Sequence, residues 1–221
     1  MITYSEAVRN RPVNEKSRHP AIKNLLQSLL LLLVTAGVIS FSAKAEDCPE
    51  KIVIDSIEYI LPERWCGQKM DSLDIADPKK LTRLPDSLTY KSYRIYVLPQ
   101  TKDALLVMSS EARKDSVFLI VDSGFRSVGF QEHIIKNRLK AGEEYQEVIN
   151  YVAPPGYSQH HSGLAVDFFP SEALFANSKE YLWLKNNAGN FGFYETYPED
   201  STGLIPWESW HWIFYSDSLN Q

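Results

Sequence analysis

Residues 158–167 read SQHHSGLAVD, a loop with adjacent histidines that passes through a glycine into an alternating apolar strand. Successive strand residues point to opposite faces, so if Val166 faces the core, Asp167 faces the other way. A buried carboxylate without a partner is too costly to retain. Asp167 therefore needs a metal ion or a strong hydrogen-bond partner, and a capping or salt-bridged aspartate is still possible on this stretch alone.

A second informative stretch, WESWHWIFY, covers residues 207–215. Strand alternation places Trp212 and Phe214 on one face and His211 on the other. A single histidine in such a strand is more often a hydrogen-bonded core residue than a metal ligand. Glu208, three residues earlier on the loop that enters the strand, favours a functional site instead.

Two histidines and one acid from these stretches form a plausible zinc site. His160, His211 and Asp167 supply two imidazoles and a carboxylate, a set typical of catalytic zinc with a fourth position for water. Zinc makes water a nucleophile near neutral pH. A carboxylate that is not a ligand must then carry a proton to the leaving amine, and Glu208 fits this role. The chain has no HExxH helix, which excludes a thermolysin-like arrangement.

The same residues carry a family resemblance. Ser-x-His-x-x-Gly-x-Ala-x-Asp at 158–167, followed by Glu-x-Trp-His at 208–211, resembles the D-alanyl-D-alanine carboxypeptidase family of LAS metallopeptidases. That family includes vancomycin-resistance-type D,D-carboxypeptidases and related L,D-carboxypeptidases. The resemblance extends over about 81–215, with further agreement at 123–127, 155–158 and 187–193. It implies one zinc ion per chain on His160, Asp167 and His211, with Glu208 as general base.

Three further site residues are implied by the resemblance. Arg126 would reach the site and hold the scissile carbonyl oxygen or a substrate carboxylate, which suits a fixed guanidinium. Ser158 and Gln131 would contact the substrate, although Gln131 could equally lie on a solvated helix face. The remaining histidines, His161 and His133, are expected not to bind metal.

The function that the resemblance implies is removal of C-terminal D-alanine from peptidoglycan stem peptides by a monomeric enzyme. An L,D-carboxypeptidase, or a peptidase cutting elsewhere in the stem, is the alternative within the same class. A zinc-bearing module that binds cell wall without cutting it belongs to a different class. The presence of both Glu208 and Arg126 argues against that module.

The N-terminus has the composition of an export signal. Residues 1–24 are rich in Lys and Arg, 25–41 form an uncharged leucine-rich run, and 42–45 read SAKA. This order predicts a signal peptide over 1–45 with cleavage after Ala45. An uncleaved membrane anchor is the alternative, since roughly 17 apolar residues can just span a bilayer. Either way we expect an exported protein of the periplasm or cell envelope, with membrane contact only through this segment.

Charge and cysteine content agree with that location. The net charge of −5 becomes more negative once the basic leader is removed, which argues against a nucleic-acid partner. The two cysteines, Cys48 and Cys66, both follow the expected cleavage site. An oxidising compartment favours a disulfide between them, and a pair of metal ligands is the weaker alternative because no CxxC or histidine lies nearby.

The hydrophobic pattern predicts an α+β domain. Helices are expected at 99–114, 129–140, 143–151 and 179–187, and strands at 51–61, 93–98, 117–121, 164–169, 191–195 and 210–215. This order favours a small antiparallel sheet that carries the zinc site and is flanked by helices. The resemblance implies the LAS and hedgehog-like peptidase fold. We expect a short accessory segment at 46–80 and the peptidase domain at 81–221.

Overall fold

The computed structural model describes residues 50–199 and 205–215. The expected leader at 1–45 and Cys48 lie outside these residues. In the described part, β-strands occupy the following bounds: β1 Lys51–Ile54, β2 Ile57–Ile60, β3 Thr82–Arg83, β4 Tyr96–Val97, β5 Val121–Ser123, β6 Ala165–Phe168, β7 Phe193–Glu195 and β8 His211–Phe214.

The α-helices follow the predicted pattern closely. Their bounds are α1 Pro99–Lys114, α2 Val128–Lys140, α3 Tyr145–Tyr151 and α4 Lys179–Asn187. Short 3₁₀ helices connect them at Glu63–Trp65, Pro78–Lys80, Asp86–Leu88, Tyr90–Ser92, Gln159–Ser162, Ala173–Asn177 and Ala188–Phe191. Ser127 and Ser178 cap α2 and α4 by accepting hydrogen bonds from backbone N–H groups in the first turn. Among the described helices, none has the length and apolar character needed to span a bilayer.

The central feature is a four-stranded antiparallel sheet with the order β5-β6-β8-β7. Asp167 on β6 lies directly opposite His211 on β8, and Ser123 on β5 lies opposite Asp167 on the other side. Two further antiparallel pairs, β1 with β2 and β3 with β4, stand apart from this sheet. The predicted α+β class with a small antiparallel sheet is therefore confirmed.

The main core joins one face of this sheet to α1 and α4. Alternation along the strands buries Val166, Phe168, Trp212 and Phe214 together on that face, as the sequence pattern predicts. Helix α1 contributes residues at helical spacing, and α4 contributes its apolar side: Leu105, Met108, Ala112, Trp183 and Leu184. Because this face holds the apolar residues, Asp167 and His211 are directed to the opposite face.

A second core packs the N-terminal part of the described chain against α2 and α3. It contains Ile54, Leu61, Trp65, Ile135 and Ile149, all buried. The indole N–H of Trp65 also donates to the carbonyl of Ile149 at 3.2 Å. The described part of the 46–80 segment thus supports the two helices that precede the SQHHSGLAVD stretch.

The single strand predicted at 51–61 is wrong. The chain instead forms a hairpin, in which β1 turns at Asp55 and Ser56 into β2. Both turn residues have positive φ angles, 54° and 67°, as a two-residue hairpin turn of this type requires. In the sequence the turn is marked by two adjacent polar residues, Asp55 and Ser56, which interrupt the apolar run between Ile54 and Ile57.

One predicted strand is displaced and another is shorter than expected: β5 occupies Val121–Ser123 instead of 117–121. In the 117–121 stretch, Val117, Leu119 and Val121 are buried and Phe118 is 58% exposed, so the alternation holds, but ladder pairing begins only at Val121. Its partner β6 ends at Phe168, just before Pro170, which has no N–H to extend the ladder. The strand predicted at 93–98 is reduced to Tyr96–Val97.

Replacing Gly192 by alanine should destabilise the sheet edge. Gly192 precedes β7 with φ of 77°, and a Cβ there would lie 2.7 Å from the carbonyl oxygen of Tyr215. We expect a loss of about 1–3 kcal/mol in the free energy of unfolding, because left-handed backbone strain and a backbone clash add together. Urea denaturation of the purified variant measures this loss.

The matched control is Gly189→Ala in the same connection. A Cβ at Gly189 would meet only a ring carbon of Tyr194, at 4.0 Å. Its free energy of unfolding should stay within about 0.5 kcal/mol of the parent. Equal stability of the two variants would contradict the role assigned to Gly192.

Candidate metal and active site

Strand register brings two of the candidate ligands together. Asp167 and His211 are direct cross-strand partners on the face opposite the main core. Nδ1 of His211 lies 2.9 Å from Oδ1 of Asp167. Both residues are buried, at 6% and 3% exposure.

The third candidate ligand comes from the loop before β6. His160 lies on the 3₁₀ helix Gln159–Ser162, which ends at Gly163 with φ of 69°. A Cβ at Gly163 would lie 3.1 Å from Leu81 and 3.2 Å from Leu98, so glycine is required both for the turn and for the packing. The ring of His160 is fixed by Nδ1, which lies 2.7 Å from the carbonyl oxygen of Gly124.

The hydrogen bonds of these rings determine where their lone pairs point. A carbonyl oxygen only accepts, so Nδ1 of His160 is the donor and Nε2 carries the lone pair. That Nε2 is buried and makes no hydrogen bond, although Oδ2 of Asp167 is 3.1 Å away. In the same way, Nε2 of His211 donates to Oε1 of Gln159 at 2.9 Å, because an amide oxygen only accepts. The lone pair of His211 is then on Nδ1 and is directed at Asp167.

Three groups that all accept hydrogen bonds therefore converge on one point. The ligand atoms of His160, Asp167 and His211 lie within 4.8 Å of one another. Neutral imidazoles and an ionised carboxylate are the forms that bind a metal, and a cation between them satisfies every lone pair. The donor set and its orphaned Nε2 fit a zinc ion with three protein ligands.

The pKa values of the cluster agree with this ligand state. Burial, assisted by the charge of Arg126, lowers the pKa of His160 to about 4, so its ring is neutral at pH 7. Asp167 is paired with the guanidinium of Arg126, which favours the ionised form of its carboxylate. The cluster thus has the protonation state that a metal ion requires.

Glu208 lines the same cleft without joining the ligand cluster. It precedes β8, and its backbone N–H and C=O are used by Tyr197 and His211, which fixes its position. Burial raises the pKa of Glu208 to about 7; His211 opposes this rise, Asp167 adds to it, and Arg126 opposes it. A carboxylate with a pKa near neutrality can both take up and give back a proton at pH 7.

Arg126 reaches the cluster, as the family resemblance implies. Its backbone N–H donates to the carbonyl of His160 at 3.2 Å, which ties its loop to the ligand loop. One terminal nitrogen donates to Oδ2 of Asp167 at 3.2 Å and the other to Oε1 of Gln131 at 3.3 Å. Its Nε is buried without a partner among the described residues. The guanidinium is therefore held at the cleft with donor capacity to spare.

The solvated position considered for Gln131 is wrong. Its side chain is only 1% exposed, and it bridges Arg126 to the carbonyl of Ala153, to which its Nε2 donates at 2.8 Å. Helical periodicity alone does not distinguish a polar residue that faces solvent from one that faces a cleft. Ser158 is also buried and lines the cleft.

Neither of the other two histidines in the described chain is directed at the cluster. His161 uses both ring nitrogens in the backbone, accepting from the N–H of Gly156 and donating to the carbonyl of Arg126. His133 is exposed on α2 and pairs with Asn137. Sequence reasoning placed both outside the ligand set but did not anticipate that His161 connects the loops of Arg126 and His160.

The three candidate ligands line one cleft of about 430 Å³ together with Glu208, Arg126, Gln131 and Ser158. The sequence analysis did not identify two of the residues that line this cleft, Gln159 and Tyr197. Gln159 orients the ring of His211, and its only sequence signal is that it precedes His160. Tyr197 stacks on His211 at 5.3 Å between ring centroids, and neither spacing nor pattern marks it in the sequence.

Comparison with known proteins places this geometry in a family. A family model described as VanY, D-alanyl-D-alanine carboxypeptidase, matches residues 94–217. A D-alanyl-D-alanine carboxypeptidase of Enterococcus faecium is 32% identical over 180 residues, which cover 77% of this chain and 56% of that protein. Another from Enterococcus faecalis is 33% identical over 113 residues, which cover 47% of this chain and 42% of that protein. This chain thus spans about half the length of those relatives.

Solved structures show the same fold. The LD-carboxypeptidase LdcB aligns with a TM-score of 0.60 at 24% identity, covering 77% of this chain and 86% of that one. A vancomycin resistance D,D-pentapeptidase VanY in complex with Zn(II) aligns with a TM-score of 0.50 at 28% identity, covering 62% and 79%. Since the family model covers more than half of its sequence, this chain belongs to the VanY family of D-alanyl-D-alanine carboxypeptidases.

Proposed function

We propose that this chain is an exported zinc-dependent carboxypeptidase that removes the C-terminal D-alanine from peptidoglycan stem peptides. One observation carries the proposal: Glu208 and Arg126 line the same cleft as the three converging ligand groups. A module that only binds cell wall has no need of a carboxylate base and a guanidinium beside its metal. The chemistry of the site therefore supports hydrolysis.

His160, Asp167 and His211 would hold the zinc ion through Nε2, a carboxylate oxygen and Nδ1. Bound zinc supplies Lewis acidity, which makes water a nucleophile near neutral pH. Gly124 and Gln159 hold the two imidazoles in the required tautomers through the ring nitrogens that face away from the metal. Such outer contacts strengthen metal binding because they orient the ring and raise its basicity.

Glu208 would act first as the general base and then as the general acid of the reaction. As a carboxylate it takes a proton from the attacking water, and as a carboxylic acid it delivers that proton to the leaving amine of D-alanine. Its pKa of about 7 suits both directions.

Arg126 would stabilise the oxyanion that forms when the scissile carbonyl is attacked. Its guanidinium is oriented by Asp167 and Gln131 before substrate arrives, so little reorganisation is needed. Gln131 is in this sense a positioning residue for Arg126, in addition to its place on the cleft wall. The hydroxyl of Ser158, which lines the same cleft, would contact the substrate.

The substrate follows from the family and its relatives. One VanY structure, 29% identical to this chain with a TM-score of 0.50, is in complex with D-alanine-D-alanine. Stem pentapeptides end in that dipeptide. Export would bring the chain to this substrate, and a basic, apolar, Ala-x-Ala leader at 1–45 supports export to the periplasm or cell envelope.

Loss of any metal ligand should remove the zinc. The parent protein should carry one zinc ion per chain, and His160→Ala, Asp167→Ala and His211→Ala should each lose it, because three protein ligands rarely tolerate deletion. Gln159→Leu should keep the site but weaken zinc affinity by about 10–100-fold. Elemental analysis and chelator competition measure these effects.

His133→Ala is the control for these variants, since it removes an exposed imidazole distant in sequence from the cluster. It should retain zinc with the affinity of the parent. Full metal occupancy in all three ligand variants would overturn the assignment.

Glu208→Gln should separate metal binding from chemistry. The variant keeps zinc because Glu208 is not a ligand, but D-alanine release from pentapeptide stems should fall by about 10²–10⁴-fold. Arg126→Ala should also keep zinc and lose about 10²–10³-fold through lost oxyanion stabilisation. Mass analysis of the residue released from pentapeptide and tetrapeptide stems measures both the rate and the bond cleaved.

Two outcomes would count against these assignments. A folded, zinc-loaded Glu208→Gln variant that still released D-alanine at the parent rate would exclude Glu208 as the base. Cleavage of tetrapeptides without cleavage of pentapeptides would replace the D,D-carboxypeptidase assignment by an L,D-carboxypeptidase.

Export also predicts the state of the cysteines. We expect Cys48 and Cys66 to be joined in protein isolated from the cell envelope, closing a loop of about 18 residues that contributes roughly 3 kcal/mol. Non-reducing mass analysis should show one linked peptide pair, and thermal unfolding should shift downward on reduction. Two free thiols in that material would contradict both the disulfide and the compartment.

A further inference from the structure

One wall of the cleft is a single face of helix α2. Gln131, Ile134 and Arg138 recur at helical spacing, and all three line the cleft. Gln131 contacts Arg126, so this end of the helix adjoins the candidate catalytic groups. Arg138 lies seven residues further on, about 10 Å along the helix axis. The cleft therefore continues well beyond the groups that act on the scissile bond.

The wall of the cleft formed by α2 and α3 carries one charged side chain, Arg138, which is exposed and paired with Glu143. Arg138 is accompanied there by Asn150 and Tyr151 from α3. The acidic residues that line the cleft in the described chain come from the side of β6 and β8, and none from α2 or α3: Asp167, Glu172 and Glu208. A cationic group at a distance from those acids favours an anionic group on the ligand.

The guanidinium of Arg138 has donors available for such a group. Among the described residues, the side chain of Arg138 donates from Nη1 to Oε2 of Glu143 at 3.1 Å, and Glu143 does not line the cleft. The backbone N–H of Glu143 also donates to the carbonyl of Arg138, which closes the end of α2. Glu143 thus orients the guanidinium and leaves its other N–H groups for a ligand. A planar guanidinium binds a carboxylate through two parallel hydrogen bonds.

We propose that Arg138 binds a carboxylate of the substrate. This carboxylate belongs to a residue two to three positions before the D-alanine that leaves. The proposal rests on the proposed function and specifies its substrate class. An extended peptide advances about 3.3 Å per residue, so a span of about 10 Å matches roughly three residues. The enzyme would then distinguish stem peptides with a free carboxylate at that position from stems in which it is amidated or absent.

Two residues of a stem pentapeptide can supply this carboxylate. The second residue, D-glutamate, is linked through its side chain and keeps a free α-carboxylate unless it is amidated to D-isoglutamine. The third residue carries an additional carboxylate when it is diaminopimelate and none when it is lysine. The chemistry recognised is the same in both cases, and paired substrates separate the two sources.

The test compares kcat/KM of the zinc-loaded chain on those pairs. One pair differs in D-glutamate against D-isoglutamine, and the other in diaminopimelate against lysine. We expect a preference of about tenfold for the carboxylate-bearing member of one pair, expressed in KM because the contact lies away from the reacting bond. Arg138→Gln should abolish this preference, and Arg138→Lys should restore part of it.

Lys140→Gln is the matched control, since it removes one positive charge from the same helix at a residue that does not line the cleft. It should keep the preference of the parent. Equal rates within both pairs for the parent protein, or a preference that survives in Arg138→Gln, would overturn the proposal.

Failure of the proposed function would look different. In that case neither the stems nor N-acyl-D-alanyl-D-alanine would be hydrolysed by the zinc-loaded parent. Calorimetric binding of the same pairs to Glu208→Gln, with and without Arg138→Gln, then tests Arg138 without turnover. A carboxylate preference that depends on Arg138 supports the proposal, and equal affinities refute it.

Discussion

A carboxylate buried between two imidazole rings is the constraint on which the rest of this structure depends. Asp167 lies 2.9 Å from Nδ1 of His211 and 3.1 Å from Nε2 of His160, with almost no exposure to water. Each ring donates its other N–H elsewhere, so lone pairs face the carboxylate. Buried acceptors at such distances repel one another unless a positive charge lies among them. A cation bound among the three groups relieves this repulsion, and Arg126, which donates to Oδ2 of Asp167, supplies part of the positive charge.

Strand register is what holds that geometry. Asp167 faces His211 only in the observed pairing of β6 with β8. A slip by one residue would turn His211 into the main core and Trp212 out of it, because side chains alternate along a strand. The burial of Val166, Phe168, Trp212 and Phe214 on the other face thus specifies the ligand site indirectly. Apolar packing fixes the register, and the register fixes the positions of the candidate metal ligands on β6 and β8.

The same alternation explains how much the sequence reveals. The helices α1 and α4, the strands that carry the ligands, and the direction of Asp167 and His211 all follow from local periodicity. The hairpin turn does not, since its signal is only the adjacent polar pair Asp55 and Ser56 rather than a periodic pattern. The roles of Gln131 and Gln159 depend on contacts with residues 5 and 52 positions away, which no local pattern encodes. Periodicity predicts which face a residue occupies, whereas tertiary contacts decide what it touches there.

Two apolar cores support the cleft, and each core fixes a different part of its wall. The main core fixes β6 and β8 and with them the candidate zinc ligands. The second core, through Trp65 and Ile135, fixes α2 and α3, which form the wall that ends at Arg138. Gln131 joins the two parts, because it contacts Arg126 on one side and belongs to the α2 wall on the other. Substitutions in the second core can therefore alter the α2 and α3 wall of the cleft while leaving the ligand cluster intact. Such a division lets substrate preference change among proteins that keep the same metal chemistry.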